Sequence, residues 1–168
     1  VPDDLKIAKI IPIYKSDDKK IISNYRPISI LPAFSKILER LVYNRLLDFI
    51  NKNDILSKNQ YGFRENISTS MALLDLVDKI STSIENNEFT IGIFIDLAKA
   101  FDTVNHNILL SKLYHYGVRG IPFDWFKSYL ANRHQYVYLN DVESSKLPTI
   151  CGVPQGSILG PLFLPTIY

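Results

Sequence analysis

The segment "FIDLAKAFDTVNH", residues 94–106, contains two aspartates six residues apart, the first directly after an apolar run. Asp96 ends the run "FTIGIFID" (89–96), which we expect to form a buried strand because it is apolar almost throughout. A carboxylate at the end of a buried strand is costly to desolvate unless it gains a partner, and a divalent cation such as Mg²⁺ can be that partner. Asp96 is therefore a candidate metal ligand whose partner carboxylates must come from elsewhere.

The polar residues of this segment also have a structural interpretation. Asp96, Asp102 and Asn105 could each accept hydrogen bonds at the N-terminus of a following helix. For Asp96 this is disfavoured, because "LAKAFDTV" separates it from the clear helix. For Asp102 helix capping is the preferred interpretation. Phe101, taken alone, is typical of a core aromatic.

Three further segments contain residue types suited to ligand binding. Arg26 in "NYRPIS" lies in an extended stretch, where a guanidinium could hold a triphosphate with two parallel hydrogen bonds; a surface ion pair is the favoured alternative for that segment alone. Arg64 in "QYGFRENIS" is a similar case. In "GVPQGS", glycines on both sides of Gln155 would let a ligand approach the backbone closely. Each signal is weak on its own.

Composition excludes several classes of function. The chain has 168 residues, 46% of them hydrophobic and 21% charged, which indicates one globular domain or part of a larger one. One cysteine, Cys151, excludes a disulfide framework and a cysteine zinc cluster, and the three histidines lack metal-ligand spacing. There is no phosphate-binding Walker loop and no dinucleotide fingerprint. With no signal peptide and no long apolar stretch, we expect an intracellular protein without a membrane partner. The oligomeric state stays open.

The charge is distributed unevenly along the chain. Residues 1–64 contain 12 Lys/Arg and 7 Asp/Glu, a balance of +5, whereas residues 65–168 contain 7 and 10, a balance of −3. A basic half that binds polyphosphate or nucleic acid would explain the difference, and an uneven solvated surface would explain it equally well.

The hydrophobic pattern mixes helices with an antiparallel sheet, which predicts the α+β class. In the first predicted helix we expect the apolar residues to be buried and Glu39 to lie on the exposed face. A Gly/Pro loop at 151–163 leads into an apolar segment. The predicted helices are 33–52, 68–87, 105–117 and 122–133, and the predicted strands are 6–15 (an edge strand or two short strands), 24–31, 89–96 and a hairpin at 135–147 that turns at Asn140-Asp141.

Taken in order, four segments resemble the successive sequence blocks of reverse transcriptases, most closely those of non-long-terminal-repeat retrotransposons. The segments are "IIPIYKSDD…NYRPISIL", "NQYGFRENIST", "FIDLAKAFDTVNH" and "GVPQGSILGPLF". The resemblance implies polymerase fingers at 1–88, with strands and two long helices, and a partial palm at 89–168. Together they would form one incomplete reverse transcriptase domain.

The resemblance also implies roles for individual residues. Asp96 matches the first metal-binding, catalytic aspartate, and Leu97 matches the position whose carbonyl helps to hold a metal. The implied nucleotide-binding residues are Arg26 at the triphosphate, Phe101 as the aromatic that excludes a ribose 2′-hydroxyl, and the pair Gln155 and Gly156. The implied nucleic-acid-binding residues are Lys9, Lys15 and Arg64. Asp102 would be structural.

The implied activity is RNA-directed DNA synthesis, in which two Mg²⁺ (or Mn²⁺) ions assist the addition of dNTPs to a DNA primer on an RNA template. The family's second aspartate block, a Tyr-x-Asp-Asp-type hairpin, does not occur in the 168 residues, so we expect a fragment truncated before that hairpin and inactive alone. The alternative is a non-catalytic nucleic-acid-binding remnant or a decayed transposon copy. Pro165 interrupts an apolar segment that is helical in the family. A frameshift, a mis-predicted exon join or a decayed copy would explain it, and an end of the helix at this point is the other alternative.

Overall fold

The computed structural model describes residues 1–167. The chain forms one mixed sheet beside a group of five α-helices. The helices are α1 (Ala33–Lys52), α2 (Thr69–Glu85), α3 (His106–His115), α4 (Gly120–Leu130) and α5 (Gly160–Ile167), and the strands are β1 (Ile7–Tyr14), β2 (Tyr25–Ile30), β3 (His134–Leu139), β4 (Val142–Glu143) and β5 (Leu147–Pro148). No helix within residues 1–167 has the length and apolar character needed to cross a membrane.

The sheet has the order β2-β1-β3-β4, and β5 also pairs with β3. The α+β class is confirmed, but the expectation of an antiparallel sheet is wrong in one pairing, because β1 and β3 run parallel. The sheet therefore combines strands from both sides of the predicted boundary at residue 88. The hairpin prediction is confirmed: β3 and β4 pair across Asn140 and Asp141, which both have the positive φ that a tight two-residue turn requires.

β1 is a single strand with two neighbours, so the prediction of an edge strand or two short strands is wrong. β2 pairs along it from Lys9 to Tyr14, whereas β3 pairs only as far as Ile10. Pro12 lies beyond the β3 ladder and faces Pro27 across the β2 ladder. A proline lacks the backbone N–H that pairing with a second strand requires. Pro12 therefore lies in the part of β1 where β2 is the single neighbouring strand.

The predicted helices form, with bounds that shift by a few residues. α1 has its expected bounds, and α2 begins after Ser68, whose hydroxyl accepts a hydrogen bond from the Met71 amide at 3.3 Å. α4 begins and ends earlier than expected. Of the alternatives for Pro165, an end of the helix is excluded, because α5 continues to Ile167. Pro165 removes one backbone hydrogen bond from the helix. The burial of Leu162, Phe163 and Leu164 beside it offsets that loss.

The main hydrophobic core lies among the helices. It joins the C-terminal half of α1 to α3, α4 and α5, and Val104 and Val153 lie within it. A second, small cluster covers one face of the sheet with Ala8, Ile10 and Leu31. The core therefore holds the loop before α5 against the helices.

The expected buried face of α1 is confirmed in its C-terminal half, where Leu46 and Ile50 are buried, and is wrong in its N-terminal half. Phe34, Ile37 and Leu41 are exposed, whereas Glu39 is only 1% exposed. The buried row is Ser35, Glu39, Leu46 and Ile50, whose spacings of four and seven residues place them on one side of a helix.

Glu39 is buried because its carboxylate has two hydrogen-bond donors. Its Oε1 accepts the Tyr129 hydroxyl of α4 at 2.8 Å, and its Oε2 accepts the Ile158 amide at 2.6 Å. Arg133 is 2% exposed; its Nη1 donates to the Tyr129 carbonyl at 3.1 Å, and its guanidinium lies 4.7 Å from the Tyr129 ring centroid. Glu39 and Arg133 thus contact opposite ends of the same tyrosine, and Glu39 links α1, α4 and the loop before α5.

Removing the Glu39 carboxylate should destabilise the protein strongly. In Glu39→Ala the Tyr129 hydroxyl and the Ile158 amide lose their acceptor. We expect a loss of about 3–5 kcal/mol in the free energy of unfolding, measured by urea titration. Glu39→Gln, which keeps one acceptor oxygen, should lose less. The matched change at exposed Glu65 should alter the free energy by less than about 0.5 kcal/mol, and an equal loss in both alanine variants would contradict the assignment.

The Tyr129 hydroxyl should make stability depend on alkaline pH. Burial, and then the charge of Glu39, raises the pKa of Tyr129 above its ordinary value of 10.0. Above that pH the unfolded chain releases the Tyr129 proton while the folded chain keeps it, so the free energy of unfolding falls as pH rises, by up to about 1.4 kcal/mol per unit. Urea titrations from about pH 9 to about pH 11 should show a shallower fall in Tyr129→Phe. An unchanged fall would contradict the coupling.

Candidate functional site

The loop at residues 151–157, "CGVPQGS" and here called the Gln-Gly loop, lies against the edge of β2. The Ser29 amide donates to the Gln155 carbonyl at 2.8 Å. Gly156 has a φ of +135°, and a Cβ at this position would lie 2.4 Å from the Ser29 carbonyl oxygen. Only glycine fits here, because any side chain would collide with the backbone of β2. The loop is therefore fixed beside the strand that contains Arg26.

The other side of the Gln-Gly loop is bound to residues 101–104. The Gln155 side-chain amide donates to Asp102 Oδ1 at 2.9 Å. Two backbone bonds run beside it, from the Val153 amide to the Phe101 carbonyl at 2.8 Å and from the Gly152 amide to the Val104 carbonyl at 2.7 Å. The loop thus joins β2 to the segment that follows Asp96, and it brings Gln155, Gly156 and Phe101 into one region.

The preferred capping interpretation of Asp102 is wrong, because its carboxylate binds Gln155 instead. Asn105 is the N-cap of α3, where its Oδ1 accepts the amides of Asn107 and Ile108. Sequence reasoning missed His106, whose Nε2 lies 2.7 Å from the Gly152 carbonyl and donates to it when protonated. Its position directly after a capping asparagine is the one signal that could have drawn attention to it.

Phe101 is half-buried. Its ring meets that of Phe63 edge-on, with centroids 6.3 Å apart. Its Cε1 would lie 3.3 Å from a Cβ built on Gly160, the first residue of α5. The ring is therefore held between the segment before α2 and the start of α5. Its role at a nucleotide sugar stays a prediction.

The apolar run at 89–96 is not a buried strand in the structure. Its isoleucines and phenylalanines are exposed, and the run pairs with no strand among residues 1–167. Within residues 1–167 the run belongs to no helix or strand, and its backbone makes no hydrogen bond to the backbone of another segment. The expectation of a buried strand here is wrong.

Asp96 and Leu97 are exposed as well, and Asp96 makes no hydrogen bond or ion pair with the rest of the described chain. Within residues 1–167 no three His, Cys, Asp or Glu side chains lie close enough to hold a metal ion. A two-ion site needs several converging carboxylates. The described residues therefore do not fit a complete magnesium site, although Asp96 is accessible to a cation.

The predicted basic residues differ in their surroundings. Arg26 and Lys15 are exposed, and the ion pairs of the described chain, Lys6–Asp3 and Lys79–Asp75, do not include them. The surface ion pair considered for Arg26 is therefore absent from this part of the chain. Lys9 and Arg64 already contact other residues of the chain. The Lys9 ammonium lies 3.3 Å from the Tyr138 ring centroid, and the Arg64 Nη1 lies 3.4 Å from the Ser57 carbonyl.

Comparison with known proteins identifies one family. Residues 13–166 match the family described as "Reverse transcriptase (RNA-dependent DNA polymerase)". The chain is 38% identical over 96% of its length to "Probable RNA-directed DNA polymerase from transposon BS" of Drosophila melanogaster, and 38% identical over 95% to "RNA-directed DNA polymerase from mobile element jockey" of the same organism. It is 28% identical over 89% to "Retrovirus-related Pol polyprotein from type-1 retrotransposable element R2" of Popillia japonica. It spans 18% of the first two relatives and 20% of the third.

Adding a methyl group at Gly156 should detach the Gln-Gly loop from β2. Gly156→Ala introduces both backbone strain and a collision with Ser29, whereas Gly120→Ala, at a φ of +58° with no atom within 4 Å, introduces strain alone. We expect Gly156→Ala to reduce the free energy of unfolding by more than the roughly 1–3 kcal/mol of strain expected for Gly120→Ala.

Amide hydrogen exchange distinguishes the two effects. The Ser29 amide should exchange faster in Gly156→Ala and unchanged in Gly120→Ala, relative to the core. Equal protection of Ser29 in both variants would show that the loop is not seated on β2.

Proposed function

Because the chain belongs to the reverse transcriptase family, we propose that it forms the part of an RNA-directed DNA polymerase that positions the incoming deoxynucleoside triphosphate. The observation that carries this proposal is the Gln-Gly loop, which joins β2 to residues 101–104 through Ser29 and Asp102. The chain spans less than a fifth of the length of its first relatives, so the activity and partners of a whole polymerase enter as part of this proposal.

Each nucleotide-binding residue has a chemical role in this proposal. Arg26, exposed and without an ion pair in the described chain, holds the triphosphate through its guanidinium. Phe101 lies beside the sugar and leaves no room for a 2′-hydroxyl. Gly156 allows the close contact with Ser29 that holds the loop beside the nucleotide, and Gln155 faces the nucleotide or template. Its side-chain amide is oriented by Asp102, which makes Asp102 a positioning residue.

The bond between Gln155 and Asp102 has a chemical consequence. An ionised carboxylate accepts hydrogen bonds only, so it must meet the NH₂ end of the Gln155 amide. The amide carbonyl of Gln155 is then directed away from Asp102 and is free to accept a hydrogen bond from a ligand. We infer that Gln155 acts on the nucleotide mainly as an acceptor, through that oxygen.

The finer architecture is part of the same proposal. Residues 1–88 form the fingers region, and residues 89–168 form a partial palm that lacks the catalytic hairpin. The template is RNA, the primer is DNA, and Lys9, Lys15 and Arg64 contact nucleic acid. Lys15 is the most available of the three because it is exposed and makes no ion pair among residues 1–167.

The metal site decides whether the chain is active alone. In the complete enzyme we expect Mg²⁺ or Mn²⁺ to be held by Asp96 together with the Leu97 carbonyl and further carboxylates. The described residues provide Asp96 and no cluster to complete the set. We therefore propose that the 168-residue chain does not add nucleotides by itself.

Nucleotide addition tests this proposal directly. The purified chain, mixed with a DNA primer on an RNA template, dNTPs and Mg²⁺, should extend no primer. A longer protein that contains these residues and a Tyr-x-Asp-Asp block should extend it, and Asp96→Ala should lower its rate by several powers of ten because a metal ligand is lost. The matched change at exposed Asp124 should leave that rate unaltered. Extension by the 168-residue chain that Asp96→Ala abolishes would contradict its inactivity.

The alternative function is nucleic-acid binding without catalysis, which the basic N-terminal half favours. Binding of the same primed RNA to the chain should weaken steeply as salt rises, since phosphate contacts release counterions. If the longer protein binds in this way but never extends the primer, binding alone is the function. If it neither binds nor extends, both proposals fail.

A further inference from the structure

The carbonyl of Gly152 is a buried acceptor that needs a hydrogen-bond donor. Gly152 itself is buried. Its φ is +85°, and a Cβ at this position would lie 2.8 Å from the Asp102 carbonyl oxygen, so the backbone is held closely here. Within residues 1–167 the single donor to the Gly152 carbonyl is His106 Nε2, at 2.7 Å. Because a buried C=O without a donor is destabilising, His106 provides a bond that this part of the Gln-Gly loop requires.

Helix α3 places the imidazole of His106. His106 is the first residue of α3 and directly follows Asn105, the N-cap. Leu109 and Leu113 come three and seven residues later, which puts them on the same side of the helix as His106. They are 0% and 1% exposed and belong to the main core. The ring that binds the Gln-Gly loop is therefore carried by a helix anchored in the core.

The bond to Gly152 fixes which ring nitrogen of His106 carries a proton. A carbonyl oxygen only accepts, so the hydrogen must be on Nε2, and a neutral imidazole has only that one N–H. The imidazolium form also donates from Nε2. His134 makes the opposite contact, because its Nδ1 lies 3.1 Å from the Asn132 carbonyl. The two histidines should therefore carry their neutral-state proton on different nitrogens.

We propose that His106 is a positioning residue of the nucleotide site, which holds Gly152 so that the Gln-Gly loop presents Gln155 to the nucleotide. This inference rests on the function proposed above. The segment 101–106 then holds the loop at two side-chain contacts, His106 at Gly152 and Asp102 at Gln155. Since the ring binds the loop backbone and not the nucleotide, it should affect nucleotide affinity more than the rate of the chemical step.

Nitrogen-15 NMR of the labelled chain tests the bond without any substitution. At about pH 8 an ordinary imidazole is neutral, and the ring nitrogen shifts then show which nitrogen carries the proton. We expect Nε2 to be protonated in His106 and Nδ1 in His134. A neutral His106 with its proton on Nδ1, or with equal amounts of the two tautomers, would overturn the inference.

Two variants separate the hydrogen bond from the size of the side chain. His106→Gln keeps an N–H donor, and His106→Met keeps a long side chain without one. The matched control is His115→Met, at an exposed histidine of the same helix. In His106→Met the amides of Gly152 and Val153 should exchange about tenfold or more faster relative to the Leu113 amide. His106→Gln and His115→Met should exchange like the parent chain. Equal exchange in the two His106 variants would show that the donor does not hold the loop.

Nucleotide kinetics test the functional part of the inference. In the longer protein that contains a Tyr-x-Asp-Asp block, His106→Met should raise the KM for dNTPs about threefold to tenfold and change kcat by less than about twofold. His106→Gln should restore the parent KM, and His115→Met should leave both constants unaltered. A purely structural role would reduce the amount of active enzyme, so a lower kcat with an unchanged KM would contradict the assignment.

The results distinguish failure of this inference from failure of the proposed function. Faster exchange in His106→Met together with an unchanged KM would overturn the role of His106 at the nucleotide and leave the proposed polymerase function standing. A longer parent protein that extends no primer would instead defeat the proposed function, and the nucleotide role of His106 with it. The bond between His106 and the Gln-Gly loop is decided in either case by NMR and amide exchange.

Discussion

The buried carboxylate of Glu39 is the interaction on which the arrangement of the site depends. It accepts a hydrogen bond from the hydroxyl of Tyr129 and one from the amide of Ile158, so one side chain of α1 links α4 to the loop before α5. A buried charge is tolerable only when its hydrogen bonds are made. The same network therefore sets both the packing of the helices and the place from which the Gln-Gly loop extends.

From that starting point the Gln-Gly loop makes contacts on both sides. Ser29 fixes it to β2, and Asp102 fixes it to the segment after Asp96. Glycine is required at residue 156 because the backbone of β2 is so close. A loop held on both sides, with the Gln155 side-chain oxygen directed away from Asp102, is the surface that we propose for the nucleotide. The apolar run at 89–96 is a contrast, because in the described chain its isoleucines and phenylalanines are exposed and its backbone is not hydrogen-bonded to another segment.

Local patterns predicted much of the fold. The bounds of α1, the start of α2 and the Asn140-Asp141 turn follow from periodicity and turn chemistry, which act over a few residues. The buried glutamate could not be predicted, because its hydrogen-bond donors lie 90 and 119 residues away in the chain. The prediction of a buried strand at 89–96 was wrong for a related reason: apolar composition indicates a tendency to pair, whereas pairing requires a neighbouring strand.

Some residues of the site were predicted from the sequence and some of their contacts were not, for the same physical reason. The four sequence blocks led to Gln155, Gly156 and Phe101, which the structure brings into one region. These blocks did not indicate that Asp102 binds Gln155, because an aspartate close to the start of a helix is more often the N-cap of that helix. Residue type alone also could not distinguish the exposed Lys15 from Lys9, whose ammonium lies over the ring of Tyr138.

The central claim is that the Gln-Gly loop is held as firmly as the core, and native-state amide hydrogen exchange tests it most directly. The amides of Ser29, Gly152, Val153 and Ile158 donate the bonds that seat the loop. All four should exchange with protection similar to that of the core amides of α3 and α4. Exchange of these four amides as fast as in an exposed loop, while the helices stay protected, would contradict the account.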